Sequence, residues 1–292
     1  MVLTLQADPS KVDALWHACL DLRYSLEHER TVVRHHHRGP LRVLKSLYPE
    51  GDAICHNILV HPPSGLVGGD HLSIQVDLGA HSHALVTTPG ATRFYGETDR
   101  QAQQHVLAHV RDHAKLEWLP MEALAYNGSH GVNQAVFELD EHASLIAWDV
   151  TQLGLPQARQ PFVKGIFEQH LEIKGVWLDK AQLDALDHRL LNSPVGLAGQ
   201  RCFSSLVFAQ GQALTQQTRE TALDGIRALI AQHDTGESHL KAGVTSPHPQ
   251  VVVLRVLSDL VEPSMQLFKA SWALLRRDVW GLSHTPPRIW AS

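Results

Sequence analysis

The feature that most constrains the fold is a succession of short apolar or alternating segments, each ended by Gly, Pro, Asn or Asp, from about residue 53 to 208. Leu72, Ile74 and Val76, for example, alternate with polar residues and predict a strand with one buried and one wet face. Further strands are predicted at 83–88, 104–110, 132–139, 143–148, 167–173 and 203–208. The gaps between them leave no room for the crossover helix of a βαβ unit. The sequence therefore predicts a mainly β protein of many strands and disfavours a Rossmann-type architecture.

Two α-helices are predicted in the C-terminal third of the chain. At about 218–233, Leu223, Ile226 and Ile230 fall on one face of a 3.6-residue period. At about 263–279, apolar residues recur at steps of three and four, namely Met265, Phe268, Trp272, Leu275 and Val279. Such stripes usually face the protein's own core, so we expect this helix to pack on the β-rich body. A nearly continuous apolar run at 250–257 predicts a buried strand between the helices.

Composition restricts the class of protein. With 43% hydrophobic and 19% charged residues, the 292-residue chain is apolar enough to fold around a large core. A formal net charge of −5 without a basic block argues against a nucleic-acid partner. The cysteines at 19, 55 and 202 match neither a disulfide framework nor a paired zinc motif, which fits a reducing compartment. Residues 1–10 lack a signal-like pattern and no apolar stretch reaches about 18 residues, so we expect a cytoplasmic protein that does not bind membranes.

Two glycine-containing motifs fail to complete a catalytic or nucleotide-binding pattern. Residues 61–70 have the glycines of a phosphate loop but lack its Gly-Lys-Ser/Thr ending. These glycines instead predict a tight turn before a strand that starts at Asp70, which acts there as a turn-stabilising carboxylate or as a metal ligand. At 127–131, Asn127 replaces the first glycine of a nucleophile elbow, so a serine hydrolase is not supported.

The 21 histidines suggest a metal site, because neutral imidazole is a common ligand of nickel and zinc. In a regular strand His81 and His83 share one side, as do His105 and His109, so each pair could hold one ion. The run at 35–37 is expected in an exposed turn. For most single histidines, a structural or surface role is the expectation.

Carboxylates beside strand ends and turns are the stronger metal candidates. Their hard oxygen atoms bind divalent cations without holding them as firmly as thiolates do. That chemistry favours the passage of a cation over its storage. The carboxylates in such positions are Asp70, Glu117, Glu122, Asp149 and Asp179.

A set of seven collinear segments carries a resemblance to a known family. The segments are Leu47-Tyr48-Pro49-Glu50-Gly51, Cys55-His56, Pro62-Pro63 through Gly68-Gly69-Asp70, Thr87-Thr88-Pro89-Gly90-Ala91-Thr92-Arg93-Phe94-Tyr95, Leu116-Glu117-Trp118-Leu119-Pro120, Trp148-Asp149 and Pro287-Arg288-Ile289-Trp290. With them the chain resembles, from about residue 30 to its end, the UreD (UreH) family of urease accessory proteins. The resemblance implies one UreD-like domain over residues 1–292, about the first 30 of them peripheral. It also implies a β-helical or sandwich-like body with two helices.

The resemblance further implies a non-catalytic maturation factor. The implied partners are UreF, the GTPase UreG and apo-urease. No tightly bound cofactor is implied; nickel(II) would be in transit through an internal tunnel. Matching the motifs residue by residue implies tunnel positions at Asp70, Thr92, Asp149 and Asp179, and Glu117 is kept as a weaker metal candidate.

Three positions depart from the family pattern. Ser64 stands where glycine is usual, and Leu155 and Gln160 stand where Arg and Glu are common. Because Gln160 has no carboxylate, it is left out of the predicted metal site.

Two other functions are open on the sequence. A metal-dependent hydrolase built on the His-rich strands predicts tight metal binding and turnover that depends on His81 or His83. A nickel-storing metallochaperone predicts several tight sites that are lost when His35, His36 and His37 are replaced. A conduit predicts weak metal binding and no turnover.

Overall fold

The predicted strands lie in two sheets of a computed structural model that describes residues 16–96, 100–233 and 240–291. In these residues the strands are β1 (Trp16–Glu27), β2 (Arg30–Arg38), β3 (Arg42–Val43), β4 (Ile54–Val60), β5 (Asp70–Leu78), β6 (His83–Thr87), β7 (Thr92–Phe94), β8 (Ala102–Val110), β9 (Lys115–Leu119), β10 (Ala123–Ala125), β11 (His130–Leu139), β12 (Ser144–Leu153), β13 (Ile166–Ile173), β14 (Trp177–Asp184), β15 (Cys202–Gln210), β16 (Lys241–His248) and β17 (Val251–Ser258). The α-helices in the same residues are α1 (His188–Asn192), α2 (Gln216–His233) and α3 (Val261–Leu274). Helix α3 runs on into a π-helical turn, Leu275–Val279, and 3-10 turns lie at Pro156–Ala158 and Arg288–Ala291.

Between β4 and β13 the chain passes back and forth between two sheets. Sheet 1 has the order β14-β13-β11-β8-β5-β1-β2, and sheet 2 has the path β16-β17-β15-β12-β9-β6-β4-β3, with β10 beside β12 and β7 beside β10. In sheet 1, β5, β8, β11 and β13 are parallel neighbours, as β4, β6, β9 and β12 are in sheet 2. A strand of the opposite sheet connects each parallel pair, so no crossover helix is needed. The mainly β, β-helical or sandwich-like fold predicted from the sequence is confirmed.

The core has two layers, one on each side of sheet 2. The first lies between the sheets, where inward residues such as Leu72 and Ile74 of β5 meet Ala84 of β6 and Leu116 of β9. The second lies between the outer face of sheet 2 and helices α2 and α3. Strand β5 therefore alternates buried and accessible residues, as predicted, whereas β12 is covered on both faces and is buried along almost its whole length.

Both predicted helices are present. The predicted helix at 218–233 corresponds to α2, which buries Ile226. The predicted helix at 263–279 is α3 together with its π-helical turn. Met265, Phe268 and Trp272 of its apolar stripe are buried in the second core layer, which confirms that the stripe faces the protein's own core. The short α1 was not predicted; the Leu190 N–H donates to the Asp187 carboxylate at its N-terminus at 2.9 Å.

The first strands differ from the sequence expectations. Residues 1–15 lie outside the described residues, but 16–27 form β1, which lies between β5 and β2 and buries Leu20 and Leu22. This part of the chain is therefore not peripheral. Residues 35–37 belong to β2 and not to a turn, because they pair with β1 through Leu22, Asp21 and Leu20, although their imidazoles are exposed as expected. In the described part of the chain, no helix combines the length and the apolar character that crossing a membrane requires.

Candidate functional site

A group of polar side chains interrupts the apolar core between the two sheets. Asn133 of β11 and Asp149 of β12 meet across this core, and Asn133 Nδ2 donates a hydrogen bond to Asp149 Oδ2 at 2.6 Å. Thr151 Oγ1 donates to Asp149 Oδ1 at 3.0 Å. From β8, Gln104 Nε2 donates to Asn133 Oδ1 at 3.0 Å. Thr92 of β7 lines one small cavity together with Gln104, Asn133 and Asp149, and we call these four residues the inter-sheet polar cluster.

The environment of Asp149 disfavours its charge. Part of its surface stays accessible, yet the surrounding protein desolvates the carboxyl group and raises its pKa to about 6, and the charge of nearby Asp179 adds to the rise. The hydrogen bonds from Thr151 and Asn133 act in the opposite direction, because they stabilise the ionised form. At neutral pH the group is mostly a carboxylate, and a divalent cation would relieve its unfavourable charge.

Two cavities adjoin this cluster. The smaller, of about 20 Å³, is lined by all four members of the inter-sheet polar cluster, and such a volume holds about one water molecule. The larger, of about 320 Å³, is lined by parts of 59–66 and 88–93. Thr92 and Gln104, together with Trp118 and Pro120, line both cavities and so form the wall between them.

Asp70 lies at the C-terminal end of the glycine-rich loop, residues 61–70. It is buried at the start of β5, where its Oδ2 atom accepts the Val67 N–H at 2.8 Å, so the predicted turn-stabilising role is confirmed. Burial lowers the pKa of the neighbouring His61, and the Asp70 charge partly opposes this shift. The buried His61 Nε2 atom has no hydrogen-bond partner among the described residues, and His61 lines the larger cavity. Asp70 therefore lies next to a cavity-lining residue without lining the cavity itself.

The glycine-rich loop forms part of the wall of the larger cavity and depends on its glycines. A Cβ atom added at Gly65 would lie 2.3 Å from Cε2 of Tyr95, so this close approach requires glycine. The preceding residue, Ser64, has a φ of 68°, in the left-handed region that favours glycine. The departure of Ser64 from the family pattern thus falls at a strained backbone position.

Asp179 of β14 lies close enough to Asp149 for its charge to affect that residue. It accepts a hydrogen bond from Ser205 Oγ of β15 at 2.7 Å and one from Arg255 Nε of β17 at 3.2 Å. Ser205 is also the register partner of Asp149 in sheet 2. Asp179 is therefore linked to the neighbourhood of Asp149 through Ser205, and its own charge is already paired with Arg255.

Glu117 is not part of this arrangement. It is completely buried in β9 and accepts hydrogen bonds from Trp272 Nε1 and from His83 Nε2, the latter at 2.6 Å. Arg276 Nη1 lies 3.5 Å from its Oε1 atom. The same Arg276 forms a two-pronged ion pair with Glu50, at 2.6 and 3.0 Å. Glu117 thus joins sheet 2 to the C-terminal helical segment through charges that are already paired.

The histidine pairs predicted from strand alternation do not converge. His81 lies in a turn with a φ of 62°, whereas His83 is in β6 and bonded to Glu117, so the prediction that they share one side of a strand is wrong. His105 and His109 both belong to β8, but the His105 ring contacts that of His71 and His109 Nε2 lies 2.8 Å from Asp140 Oδ1. Each imidazole therefore has a different neighbour.

Sequence reasoning missed two members of the inter-sheet polar cluster. Gln104 and Asn133 lie in correctly predicted strands, on the same faces as the buried Val106 and Phe137. A polar residue on the apolar face of an alternating strand was the signal that could have found them. No comparable local signal marks Arg276, since its partners Glu50 and Glu117 are distant in the sequence.

Comparison with known sequences extends the resemblance over almost the entire chain. Residues 17–291 match the profile of a family described as UreD urease accessory protein. The Urease accessory protein UreD of Albidiferax ferrireducens is 56% identical over 276 residues, which cover 94% of this chain and 99% of that protein. Proteins of the same name from Paracidovorax citrulli and Variovorax paradoxus are 52% and 50% identical, over 94% and 95% of this chain and 99% of each relative.

These relatives exceed by a wide margin the identity at which a family is shared, and the matched region includes both sheets, the inter-sheet polar cluster and the C-terminal helices. The chain therefore belongs to the UreD family of urease accessory proteins, and its role lies in urease maturation.

Proposed function

We propose that this chain, as one UreD-like domain in the cytoplasm, is a non-catalytic scaffold that binds apo-urease, UreF and the GTPase UreG. In this proposal it conducts nickel(II) to the urease active site along the space between its two sheets. The ion passes from the neighbourhood of Asp70 and His61, past Thr92, to Asp149 and Asp179. Nickel is the cargo, and the protein needs no tightly bound cofactor. Family membership supports the partners.

The observation that carries the proposal is the pair of neighbouring cavities, which share Thr92 in their walls and the smaller of which is lined by Asp149. The larger cavity is also lined by His61, Ser64, Thr88 and Arg93, and the inter-sheet polar cluster offers a hydroxyl, two amides and one carboxylate. Such oxygen ligands hold a divalent cation weakly enough for stepwise exchange, which suits passage. The rise in the pKa of Asp149 to about 6 also means that an empty site carries an unfavourable charge that a passing cation offsets.

The two alternative functions have less support. A metal-dependent hydrolase needed His81 and His83 to converge, and His83 is instead bonded to the buried Glu117. A nickel store needed several tight sites that depend on the histidines at 35–37. Alternation along β2 places His35 and His37 on one face, with ring centroids 6.3 Å apart, and His36 on the other. We therefore favour the conduit.

Reconstitution of urease from the apo-enzyme, nickel and the accessory proteins tests this proposal. Leaving out the chain should abolish most of the activation. Replacing Asp149 by Asn and Thr92 by Val together should lower the activation rate by tenfold or more, while the folded protein still assembles with its partners on a sizing column.

The matched control is Asp77→Asn. Asp77 is an exposed carboxylate that pairs with Arg111 at 2.9 Å on the outer face of sheet 1, so its replacement should leave activation unchanged. Full activation without the chain would contradict the scaffold role. Full activation with the Asp149 and Thr92 double variant would contradict the route but not the scaffold.

A further inference from the structure

A cluster of histidines lies outside the proposed route, where three turns of the β-helical coil stack on one another. The turns connect β5 to β6, β8 to β9 and β11 to β12. The His81 N–H donates to the Asp112 carbonyl oxygen at 3.1 Å, and the His142 N–H donates to Asp112 Oδ1 at 3.0 Å. Asp112 thus accepts hydrogen bonds from both the β5–β6 turn and the β11–β12 turn. We call His81, Asp112, His113 and His142 the turn histidine cluster.

The imidazoles of this cluster lie face to face. The ring centroids of His81 and His113 are 4.9 Å apart with 6° between the ring planes, and those of His113 and His142 are 4.7 Å apart with 30° between them. The His113 ring is therefore stacked between the rings of His81 and His142. Both His113 and His142 are exposed, so the cluster is open to ions from solution.

One ligand atom each from Asp112, His113 and His142 lies within 4.8 Å of the other two, and this is the one such group of three among the described residues. Two ligands on opposite sides of a transition-metal ion are separated by roughly 4.2 Å, twice a bond length of about 2.1 Å. Small side-chain rotations would therefore bring all three onto one ion. Asp112 Oδ2 already lies 3.5 Å from His113 Nε2.

The backbone places His81 and His113 alike in their turns. Their φ values are 62° and 58°, in the left-handed region where asparagine, aspartate and histidine are enriched among residues other than glycine. Successive coils thus carry a histidine of the same backbone conformation, and the two rings stack.

We propose that the turn histidine cluster binds one divalent transition-metal ion, of the class that prefers nitrogen with some oxygen, such as Ni²⁺, Zn²⁺ or Co²⁺. Asp112, His113 and His142 are the ligands, and His81 lies against His113 as a fourth candidate. The site is separate from the oxygen-lined route and does not depend on the proposed function. It is beyond the opposite end of β5 from Asp70, and a strand of that length spans roughly 25 Å.

The proposed ligands lie at the surface, where His113 and His142 are exposed. His81 and His113 also line a cavity of about 480 Å³. The charged residues that line it are two of each sign, Glu29, Glu50, Lys115 and Arg276, and Arg276 is paired with Glu50. The cluster is thus a capture site for an ion from solution.

Titration of the purified full-length protein with NiCl₂, followed by calorimetry, tests the proposal. We expect the wild type to bind one Ni²⁺ ion at this cluster. The His113→Asn, His142→Asn double variant should bind Ni²⁺ there with at least tenfold lower affinity. Asparagine is chosen because it tolerates the backbone of residue 113. The matched control is His35→Asn, His37→Asn, which removes two exposed stacked imidazoles that have no Asp112-like carboxylate between them.

A second measurement avoids variants altogether. Ni²⁺ should protect His113 and His142 of the wild type from modification by diethyl pyrocarbonate, as read by mass spectrometry, and should leave His35 and His37 unprotected. The proposal is overturned if the wild type binds no Ni²⁺, or if the control variant loses as much Ni²⁺ affinity as the His113, His142 double variant. It is also overturned if Ni²⁺ leaves the modification of all four histidines unchanged. Loss of the site in the Asp149→Asn variant would also do so.

Discussion

Asn133 of sheet 1 donates its side-chain amide to Asp149 of sheet 2 across a 2.6 Å hydrogen bond, so a polar contact joins the two sheets inside an otherwise apolar core. This hydrogen bond holds the Asp149 carboxylate in a core that disfavours its charge. Asp149 is therefore central to the proposed route and also lowers the stability of the fold, and the two effects can be measured separately.

The Asp149→Asn variant should be more stable than the wild type at pH 7, by about 1–3 kcal/mol, since each pKa unit corresponds to about 1.4 kcal/mol. The folded-state pKa of Asp149 is raised from 3.8 to about 6, so the folded protein binds the proton more tightly than the unfolded chain. The cost of ionising this group grows as pH rises from about 4 to 6 and is complete above that. Urea unfolding at pH 7 and pH 4 checks this: the stability difference should shrink at pH 4. An equal difference at both values would contradict it.

Acidification below about pH 6.5 should destabilise the protein through histidines on sheet 1. Burial lowers the pKa of His71 and of His105, and a positive charge on His71 lowers that of His105 further. The unfolded chain therefore takes up protons first, and stability is lost as pH falls through the ordinary imidazole pKa of about 6.5. The His71→Gln, His105→Gln double variant should flatten the fall in melting temperature between pH 7 and 5.

The control for this variant replaces His35 and His36, which are exposed on β2, with Gln. Its melting temperature should follow that of the wild type at each pH. If both double variants change the pH dependence equally, His71 and His105 are not its cause.

Ser64→Gly should stabilise the protein by about 0.5–1 kcal/mol. Relief of the left-handed backbone at Ser64, whose φ is 68°, is worth about 1–2 kcal/mol, and the greater freedom of glycine in the unfolded chain offsets part of it. Ser73→Gly, inside β5, is the opposite case and should destabilise by about 0.5–1 kcal/mol. Thermal unfolding compares the two. A loss of stability in both variants would mean that the Ser64 side chain contributes more than its backbone strain costs.

Two neighbouring arginines should differ sharply in their contribution to stability. Arg276→Leu leaves the buried Glu50 and Glu117 without their cation and should cost about 3–5 kcal/mol. Arg277→Leu removes an exposed side chain paired with Asp278 and should change the free energy of unfolding by less than about 0.5 kcal/mol. Denaturant titration of both variants measures the difference. Similar values would show that the Arg276 ion pairs contribute little beyond the helix itself.

Local patterns determined the elements of this protein. Alternation along residues 72–78 identified β5 because one of its faces is wet, and the stripe of Met265, Phe268 and Trp272 identified α3 because only one of its faces is buried. The turn before Asp70 was predictable for the same reason, since Val67 and Asp70 are three residues apart. Periodicity and turn chemistry act over a few residues and so are readable directly from the chain.

Only the tertiary structure decided which elements meet. The lack of room for crossover helices disfavoured a Rossmann-type fold but did not reveal parallel strands, because the connection between these parallel neighbours is a strand of the opposite sheet. Coiling of the chain brings Asn133 to Asp149, places Arg276 between Glu50 and Glu117, and stacks His113 on His142. These contacts depend on the register of strands that are far apart in sequence, and no local pattern records that register.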